Sequence, residues 1–288
     1  MSTTSTGASP ILRSFALDRL SDRAFRGESV QDERRPVVFG GQIMGQMIVA
    51  ASRYEPAKTV RSLHVIFARS GTIKHPVEVE LDPVHSGRAL ASVSATAAQG
   101  ERVLARGLLL LDAGEPDVIR HQVPARQAGG PLDAPPVAAP YPGAELRLVD
   151  GVDLMTTAAT GPPELHVWVR FSDVPDDAAL HQALLSWYTD GFLIAAAMRP
   201  HEGIGQEQAH ETLSTGVLAH TLTFHEPVRA DRWLLISNRS LHAGGGRGYG
   251  EGHVFTEDGQ LVASFVQQNM IRYFRDAPGV RGKAAGAM

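Results

Sequence analysis

The sequence contains no cysteine among its 288 residues, and this absence removes several kinds of site at once. Disulfides, thiolate metal sites and a cysteine nucleophile are all excluded. Lysine is scarce beside arginine, so a cationic site would depend on guanidinium groups. Acidic residues outnumber basic ones, 31 against 27, and no dense basic block occurs, which argues against a nucleic-acid partner.

Long apolar runs are also missing. The most apolar stretch, between His181 and Arg199, is too short and too interrupted to predict a membrane span. The first ten residues lack the basic and apolar regions of a signal peptide, and residues 276–288 are predicted to form a flexible tail. These features favour a cytoplasmic globular protein, whose length suits one large domain or two smaller ones.

Several catalytic signatures are absent as well. The sequence has no G-x-S-x-G nucleophile elbow, no Walker loop and no H-E-x-x-H helix. The glycine cluster at residues 244–250 does not fit G-x-G-x-x-G, and a flexible hairpin loop is the simpler interpretation. His220 and His225 would point to opposite faces of a predicted strand, so neither a metal nor a cofactor is predicted.

The order of predicted elements occurs twice along the chain. Each half begins with a short strand and a helix, at about residues 41–53 in the first half and from Pro175 towards Met198 in the second. Four strands follow each helix, over residues 60–68, 77–84, 89–98 and 102–111, and over residues 216–224, 233–241, 248–255 and 261–272. This repetition predicts an α+β fold of two tandem units, at residues 11–112 and 164–275.

Between these units, residues 113–163 hold nine of the chain's 18 prolines together with six glycines. Proline and glycine at this density interrupt regular structure. The segment therefore predicts an extended linker, with at most a short helical piece near residues 144–148.

Asp190 is the one charge within the most apolar stretch of the chain. Burying an ionised carboxylate without partners costs several kcal/mol, roughly estimated. The protein must therefore solvate Asp190, protonate it or use it. One interpretation is structural: Thr189-Asp190-Gly191 ends one helix and starts another, and the carboxylate accepts backbone N–H groups. The other is a catalytic acid or base.

Polar side chains also occur on two predicted strands near the end of the chain. Gln267 shares a predicted strand face with Phe265 and Asn269, and an isolated amide on an apolar strand is more often solvent-facing than catalytic. On another strand, alternation predicts that Thr215, Val217 and Thr221 share one face and that His220 lies on the other.

Five short motifs in one order resemble the acyl-CoA thioesterase II family over about residues 15–273. They are FGGQ at 39–42, VPDD at 174–177, YTD at 188–190, FHEP at 224–227 and DGQLVAS at 258–264. The resemblance implies a double hotdog fold, in which each of two tandem units wraps an antiparallel sheet around a long central helix. It also implies an enzyme of fatty acid metabolism that hydrolyses fatty acyl-CoA thioesters.

In that family an aspartate, a glutamine and a threonine or serine hold the attacking water. The resemblance places the first two roles on Asp190 and Gln267. The hydroxyl position falls on Val217, and Ala219 stands where the family has an aspartate. Thr215 is predicted as a substitute for the missing hydroxyl.

Thioester hydrolysis also needs hydrogen-bond donors for the developing oxyanion and groups that bind the substrate. The N–H groups of Gly40, Gly41 and Gln42 open a helix where a substrate can approach the backbone. Arg88 and Arg247 are candidates for binding the phosphates of coenzyme A. Taken alone, each arginine is more simply explained as a solvated surface residue.

Two other functions stay open at this point. The apolar residues at positions 217 and 219 favour a catalytically weak protein of the same fold that binds acyl-CoA or acyl chains. An enoyl-CoA hydratase ranks lower, because no paired aspartate and histidine is evident near Asp190. The acyl chain length is open, as is the question of whether the protein forms a homo-oligomer.

Overall fold

The computed structural model describes residues 9–32, 36–126, 128–155 and 160–274, so the predicted tail at 276–288 lies outside the described residues. The helices in these ranges are α1 (Pro10–Ser14), α2 (Gly40–Tyr54), α3 (Ala178–Thr189) and α4 (Phe192–Met198), with short 3-10 turns at Pro131–Asp133, Val149–Gly151 and Gln206–Gln208. The strands are β1 (Asp18–Arg19), β2 (Ala24–Gly27), β3 (Thr59–Phe67), β4 (Val77–Ser86), β5 (Leu90–Gln99), β6 (Arg102–Asp112), β7 (Pro136–Val137), β8 (Ala144–Leu148), β9 (Glu164–Phe171), β10 (Leu213–Phe224), β11 (Leu234–Gly244), β12 (Arg247–Thr256) and β13 (Leu261–Tyr273). Within the described ranges, no helix is long and apolar enough to cross a membrane.

The strands form an antiparallel sheet in the order β1-β2-β4-β5-β6-β3-β10-β13-β12-β11-β9-β8-β7. The order is symmetrical about the pairing of β3 with β10, where Ile66 lies opposite Ala219 and Ser62 opposite Thr223. Reading outwards from this pair, the strands are β3-β6-β5-β4-β2 on one side and β10-β13-β12-β11-β9 on the other. In these two sets one strand precedes the helical segment and four strands follow it, as the repetition in the sequence predicts, while β1, β7 and β8 extend the sheet at its two edges.

Helix α2 is buried along almost its whole length. Residues 41–51 are all buried, because α2 packs against α3 and against the strands of the first half. Its buried polar side chains bind the segments that precede it: Gln42 Oε1 accepts the Val30 N–H at 3.0 Å, and Gln46 Nε2 donates to the Ser14 carbonyl at 2.9 Å. These two bonds fix the position of the helix relative to the loop before it.

The start of α2 touches the end of α3 because Gly41 has no side chain. A Cβ at Gly41 would lie 2.7 Å from both the Cα and the carbonyl oxygen of Trp187. The rings of Phe39 and Tyr141 pack on the Trp187 indole, with centroids 4.9 and 5.6 Å away. The last turn of α3 is thereby held on the first turn of α2.

The helix predicted to run from Pro175 towards Met198 is divided into α3 and α4, and it begins at Ala178, so Pro175 lies before its first turn. Asp177 caps its start, and its carboxylate accepts the Ala179 N–H at 2.8 Å. The division agrees with the structural interpretation of Thr189-Asp190-Gly191, since α3 ends at Thr189 and α4 begins at Phe192. The break leaves Asp190 between two helices.

The segment between the two halves differs from the prediction at residues 144–148. This stretch was predicted as a short helical piece, and it forms strand β8, which pairs with β9. Leu146 and Leu148 alternate with more exposed neighbours and are buried, a period of two that suits a strand. The sheet of the second half therefore extends into the proline-rich segment.

We predict that Gly41→Ala destabilises the protein by about 1–3 kcal/mol, the usual cost of overpacking. The added methyl group meets the backbone of α3, which cannot move aside without separating the two helices. Urea unfolding measures the change. Gly216→Ala is the control, because a Cβ there meets no heavy atom within 4 Å. Equal unfolding midpoints for the two variants would contradict the close contact between α2 and α3.

Candidate active site

Asp190 lies at the junction of α3, α4 and the start of α2, and only 3 % of its surface is exposed. Its Oδ2 accepts the Gly41 N–H at 3.1 Å. A Cβ at Gly40 would lie 2.8 Å from the same oxygen, so only glycine fits beside the carboxylate. Phe39, at the N-cap of α2, has no side chain that could cap the helix. Asp190 therefore caps a helix, although the helix is α2 of the first half rather than α4.

The electrostatic setting of Asp190 is that of an anion at a helix N-terminus. Exposed N–H groups and the helix dipole favour a negative charge there, typically by about 0.3–2 kcal/mol. This offsets part of the desolvation cost, which is several kcal/mol for a buried ion, roughly estimated. The structural and the catalytic interpretations of Asp190 are thus compatible, since a capped carboxylate can still accept a proton.

Gln267 reaches the same junction from strand β13. Its side-chain nitrogen Nε2 donates to the Asp190 backbone carbonyl at 2.9 Å, and the residue is 1 % exposed. The sequence alone favoured a solvent-facing amide, and burial shows that this default is wrong here. The structure therefore brings together the two residues to which the family resemblance gave catalytic roles.

Two neighbours of Gln267 were not predicted as site residues. His220 lies directly opposite Gln267 on β10, and its Nδ1 is 3.3 Å from Gln267 Nε2. The other ring nitrogen, Nε2, is 3.3 Å from Thr189 Oγ1. Both side chains are buried, and Thr189 immediately precedes Asp190. A hydroxyl directly before the acid is the only sequence signal that could have indicated Thr189.

A β-bulge in β10 changes which residues share a face. The pairing with β13 shifts between Val217 and Ala219, which places Val217 opposite Asn269 and His220 opposite Gln267. The prediction that His220 and Val217 lie on opposite faces is therefore wrong, because the bulge adds one residue and reverses the alternation. Thr221 falls on the outer face, where its hydroxyl contacts His64 Nδ1 at 3.1 Å.

Thr215 does not lie near the acid and the amide. It pairs with Ile271, four residues along β13 from Gln267 and so about 13 Å away at strand spacing. This corrects the expectation that Thr215 supplies the missing hydroxyl. Val217, which the resemblance aligned with the hydroxyl, packs in an apolar cluster with Ile194 and Met198 of α4.

The three residues predicted to form the oxyanion site have different surroundings. The Gly41 N–H binds Asp190 Oδ2, and the Gln42 N–H donates to the Phe39 carbonyl at 3.1 Å. The Gln42 side chain binds Val30 instead of facing the acid. Gly40 is the first residue of α2 and also lies next to the carboxylate, since a Cβ there would be 2.8 Å from Asp190 Oδ2.

The two candidate arginines lie in different parts of the molecule. Arg88 is exposed in the turn after β4, and the nearby Ser86 hydroxyl binds Glu55 at the C-terminal end of α2, away from Asp190. Arg247 lines a cavity of about 300 Å³ at the C-terminal end of α4, together with Arg272. Arg247 starts β12, whose Gly250 pairs with Gln267.

Among the described residues, histidine, aspartate and glutamate side chains do not gather in a group of three that could hold a metal ion. The two histidines weighed for such a site are separated: His220 faces the interior, and His225 Nε2 contacts the Ser264 hydroxyl at 2.9 Å on an exposed surface.

Acid destabilisation is expected from the buried histidine. Burial lowers the pKa of His220 from 6.5 to about 3, so the unfolded chain binds a proton in this range that the folded chain does not. The stability that neutral His220 contributes is complete above pH 6.5 and is lost as the pH falls towards 3. We predict that the urea concentration at the unfolding midpoint decreases as the pH is lowered below about 6.5, and that it decreases less steeply in His220→Asn. Parallel pH curves for the two proteins would contradict this assignment.

The chain matches two family models in succession. Residues 31–111 match an acyl-CoA thioesterase N-terminal domain, and residues 116–271 match an acyl-CoA thioesterase C-terminal domain. It is 27% identical over 282 residues to acyl-CoA thioesterase 2 of Haemophilus influenzae, covering 91% of this chain and 97% of that protein. It is also 27% identical over 283 residues to human acyl-coenzyme A thioesterase 8, covering 89% and 86% respectively.

Solved structures agree with these sequence relationships. An acyl-CoA thioesterase II, TesB2, from Mycobacterium marinum superposes with a TM-score of 0.76 at 29% identity, covering 92% of this chain and 98% of that one. A protein with a hot dog fold from Alicyclobacillus acidocaldarius gives 0.74 at 21% identity, covering 93% and 100%. The fold is therefore of the hotdog type, and the chain belongs to the acyl-CoA thioesterase family.

Proposed function

We propose that Asp190 and Gln267 hold the water with which this acyl-CoA thioesterase hydrolyses its substrate to a free fatty acid and coenzyme A. One observation carries the proposal: residues 77 positions apart in sequence meet through the Gln267 bond to the Asp190 carbonyl, beside a carboxylate held at a helix start. Burial excludes bulk water from this junction. An acid and an amide so placed can orient a single water molecule for attack.

The reaction needs one proton transfer and one bond cleavage. The Asp190 carboxylate accepts a proton from the water as the water oxygen bonds to the thioester carbonyl carbon. The carbon–sulfur bond then breaks, and the coenzyme A thiolate leaves and takes up a proton. The developing oxyanion lies beside the first turn of α2, and we assign its donor to the Gly40 N–H, because the N–H groups of Gly41 and Gln42 bind Asp190 Oδ2 and the Phe39 carbonyl.

We further propose that the chain consists of two tandem hotdog units, at residues 11–112 and 164–275, with 113–163 between them. The identical strand order on the two sides of the β3–β10 pair supports this division. The pairing of β8 with β9 gives part of the intervening segment to the second unit. A cytoplasmic location and a homo-oligomeric state stay predictions.

The cavity at the end of α4 is proposed to bind part of the acyl-CoA substrate. Its lining combines apolar side chains, among them Met198, Leu213 and Ile271, with the guanidinium groups of Arg247 and Arg272. An acyl-CoA molecule is itself amphipathic, with apolar and phosphorylated portions. Arg247 lies three residues along β12 from the Gly250–Gln267 pair, about 10 Å at strand spacing, which is within reach of a bound coenzyme A.

The Asp190→Asn variant tests the proposed reaction. We expect release of free thiol from medium- or long-chain acyl-CoA to fall at least about 10²-fold, since the amide cannot accept the proton of the water. The variant keeps an oxygen that can accept the Gly41 N–H, so the helix start should remain capped. Asp82→Asn, on the exposed face of β4, is the control and should leave turnover unchanged. Full activity of Asp190→Asn would overturn the mechanism.

The Arg247→Gln variant tests the substrate cavity. We expect the KM for acyl-CoA to rise about 3- to 10-fold with little change in kcat, because a lost phosphate contact weakens binding without touching the reacting atoms. Arg88→Gln is the matched control, because Arg88 lies near the C-terminal end of α2, away from Asp190. This variant should leave the KM unchanged. The assignment of the cavity fails if Arg88→Gln has the larger effect, or if Arg247→Gln lowers kcat alone.

A further inference from the structure

The side-chain nitrogen of Gln267 has an acceptor for each of its two N–H bonds. One is the Asp190 backbone carbonyl at 2.9 Å, and the other is His220 Nδ1 at 3.3 Å. A primary amide nitrogen carries two hydrogens and accepts none, so both of its donors are in use. The group that Gln267 can offer to a substrate or a water is therefore its carbonyl oxygen, Oε1.

The hydrogen bonds around His220 all run in one direction. Since Gln267 Nε2 can only donate, His220 Nδ1 must be the unprotonated acceptor, and the proton of the neutral ring lies on Nε2. That N–H faces Thr189 Oγ1 at 3.3 Å, whose own O–H donates to the Ser186 carbonyl at 3.0 Å. The chain of bonds ends on a main-chain carbonyl of α3, so no member of it can reverse without losing a partner.

The surroundings of His220 keep it in this form. The ring is 1 % exposed and lies parallel to the Phe265 ring, with centroids 5.4 Å apart. Burial lowers its pKa far below neutrality, so the imidazole stays uncharged and keeps one acceptor nitrogen. A charged ring would present two N–H donors and would repel the Gln267 amide nitrogen.

We propose that His220 is a positioning residue that fixes the Gln267 amide so that Oε1 accepts a hydrogen bond from the attacking water. This rests on the proposed function of Asp190 and Gln267. The water donates one hydrogen to the Asp190 carboxylate and the other to Gln267 Oε1, which directs an oxygen lone pair at the thioester carbonyl carbon. Asn269 Nδ2 lies 3.4 Å from Oε1 and leaves the second acceptor position of that oxygen for the water.

The assignment gives Gln267 one of two possible roles. An amide whose nitrogen faced the substrate would stabilise the oxyanion as a donor, whereas the observed bonds make it an acceptor for water. The resemblance aligns Val217 with the family's hydroxyl, so we assign the water-holding acceptors of this chain to Asp190 and Gln267 Oε1. The orientation of the amide, set by His220, then decides whether the water is held at all.

Two substitutions at one position separate positioning from packing. In His220→Asn, the side-chain oxygen takes the place of Nδ1 and still accepts from Gln267. In His220→Gln, the longer amide reaches the place of Nε2 near Thr189 and leaves no acceptor at Nδ1. We expect kcat for acyl-CoA hydrolysis to stay within about 5-fold of the parent in His220→Asn and to fall about 10²-fold in His220→Gln, with KM changed less than about 3-fold in both.

Urea unfolding measures how much stability each variant loses. A purely structural role of His220 would make kcat fall in step with that stability. If the loss of kcat follows the loss of stability, or if the two variants have the same kcat, the positioning role is contradicted. Full loss of activity in Asp190→Asn, together with equal kcat in the two His220 variants, would remove this inference and leave the proposed function standing. An active Asp190→Asn would instead remove the proposed function.

The parent protein offers a test that does not depend on whether a variant folds. Nitrogen-15 NMR of labelled histidine distinguishes the two neutral tautomers of an imidazole. We expect His220 at neutral pH to carry its proton on Nε2, with Nδ1 unprotonated. A proton on Nδ1 would require the Gln267 oxygen to face the ring, and this result would overturn the proposal.

Discussion

The site depends on one hydrogen bond, from the Gly41 N–H to the Asp190 carboxylate. Removing a carboxylate from water costs several kcal/mol, roughly estimated, while one hydrogen bond to a charged group recovers only about 1.5–3 kcal/mol. A helix N-terminus adds an aligned dipole and further N–H groups, which is why a buried acid is tolerated there. Because the acid comes from the second half and the helix from the first, the two halves must be joined for the site to exist.

Glycine creates the space on both sides of this junction. Gly40 and Gly41 let the start of α2 approach Asp190 and Trp187 at the end of α3. On the opposite side, three glycines of β12 face the interior: a Cβ at Gly248, Gly250 or Gly252 would lie 2.5 Å from Asn269 Oδ1, 2.6 Å from Leu193 Cδ2 and 2.1 Å from Phe265 Cζ, respectively. Side chains from α4 and β13 therefore lie flat over β12, and Phe265 supplies the surface on which His220 stacks.

The sequence could predict what periodicity and composition control. The repeated order of strands and helices and the acidic start of α3 follow from local patterns, and the structure shows both, whereas the helix expected to run on towards Met198 is divided at Asp190. Asp190 was identifiable because a lone charge in an apolar run demands a partner. The glycine cluster was interpreted as a hairpin loop, yet only Gly245 and Gly246 form the turn, and the rest belong to strands.

What the sequence could not predict follows from single irregularities and from distant contacts. The bulge between Val217 and Ala219 has no local signature, and it inverts the faces of every residue after it, including His220. The roles of Gln42 and Thr215 depend on which neighbours they meet, Val30 and Ile271, and those neighbours are set by packing and register. Thr189 gains significance only once His220 is known to lie beside it.

The most direct test of the account is the source of the oxygen added to the product. With the protein in excess over acyl-CoA, a single turnover in water enriched in oxygen-18 should place one heavy oxygen in the released fatty acid and none in the peptide that contains Asp190. This is the result expected if Asp190 deprotonates a held water. Heavy oxygen in the Asp190 carboxylate would mean that the acid itself attacks the thioester and forms an anhydride, which would contradict the account.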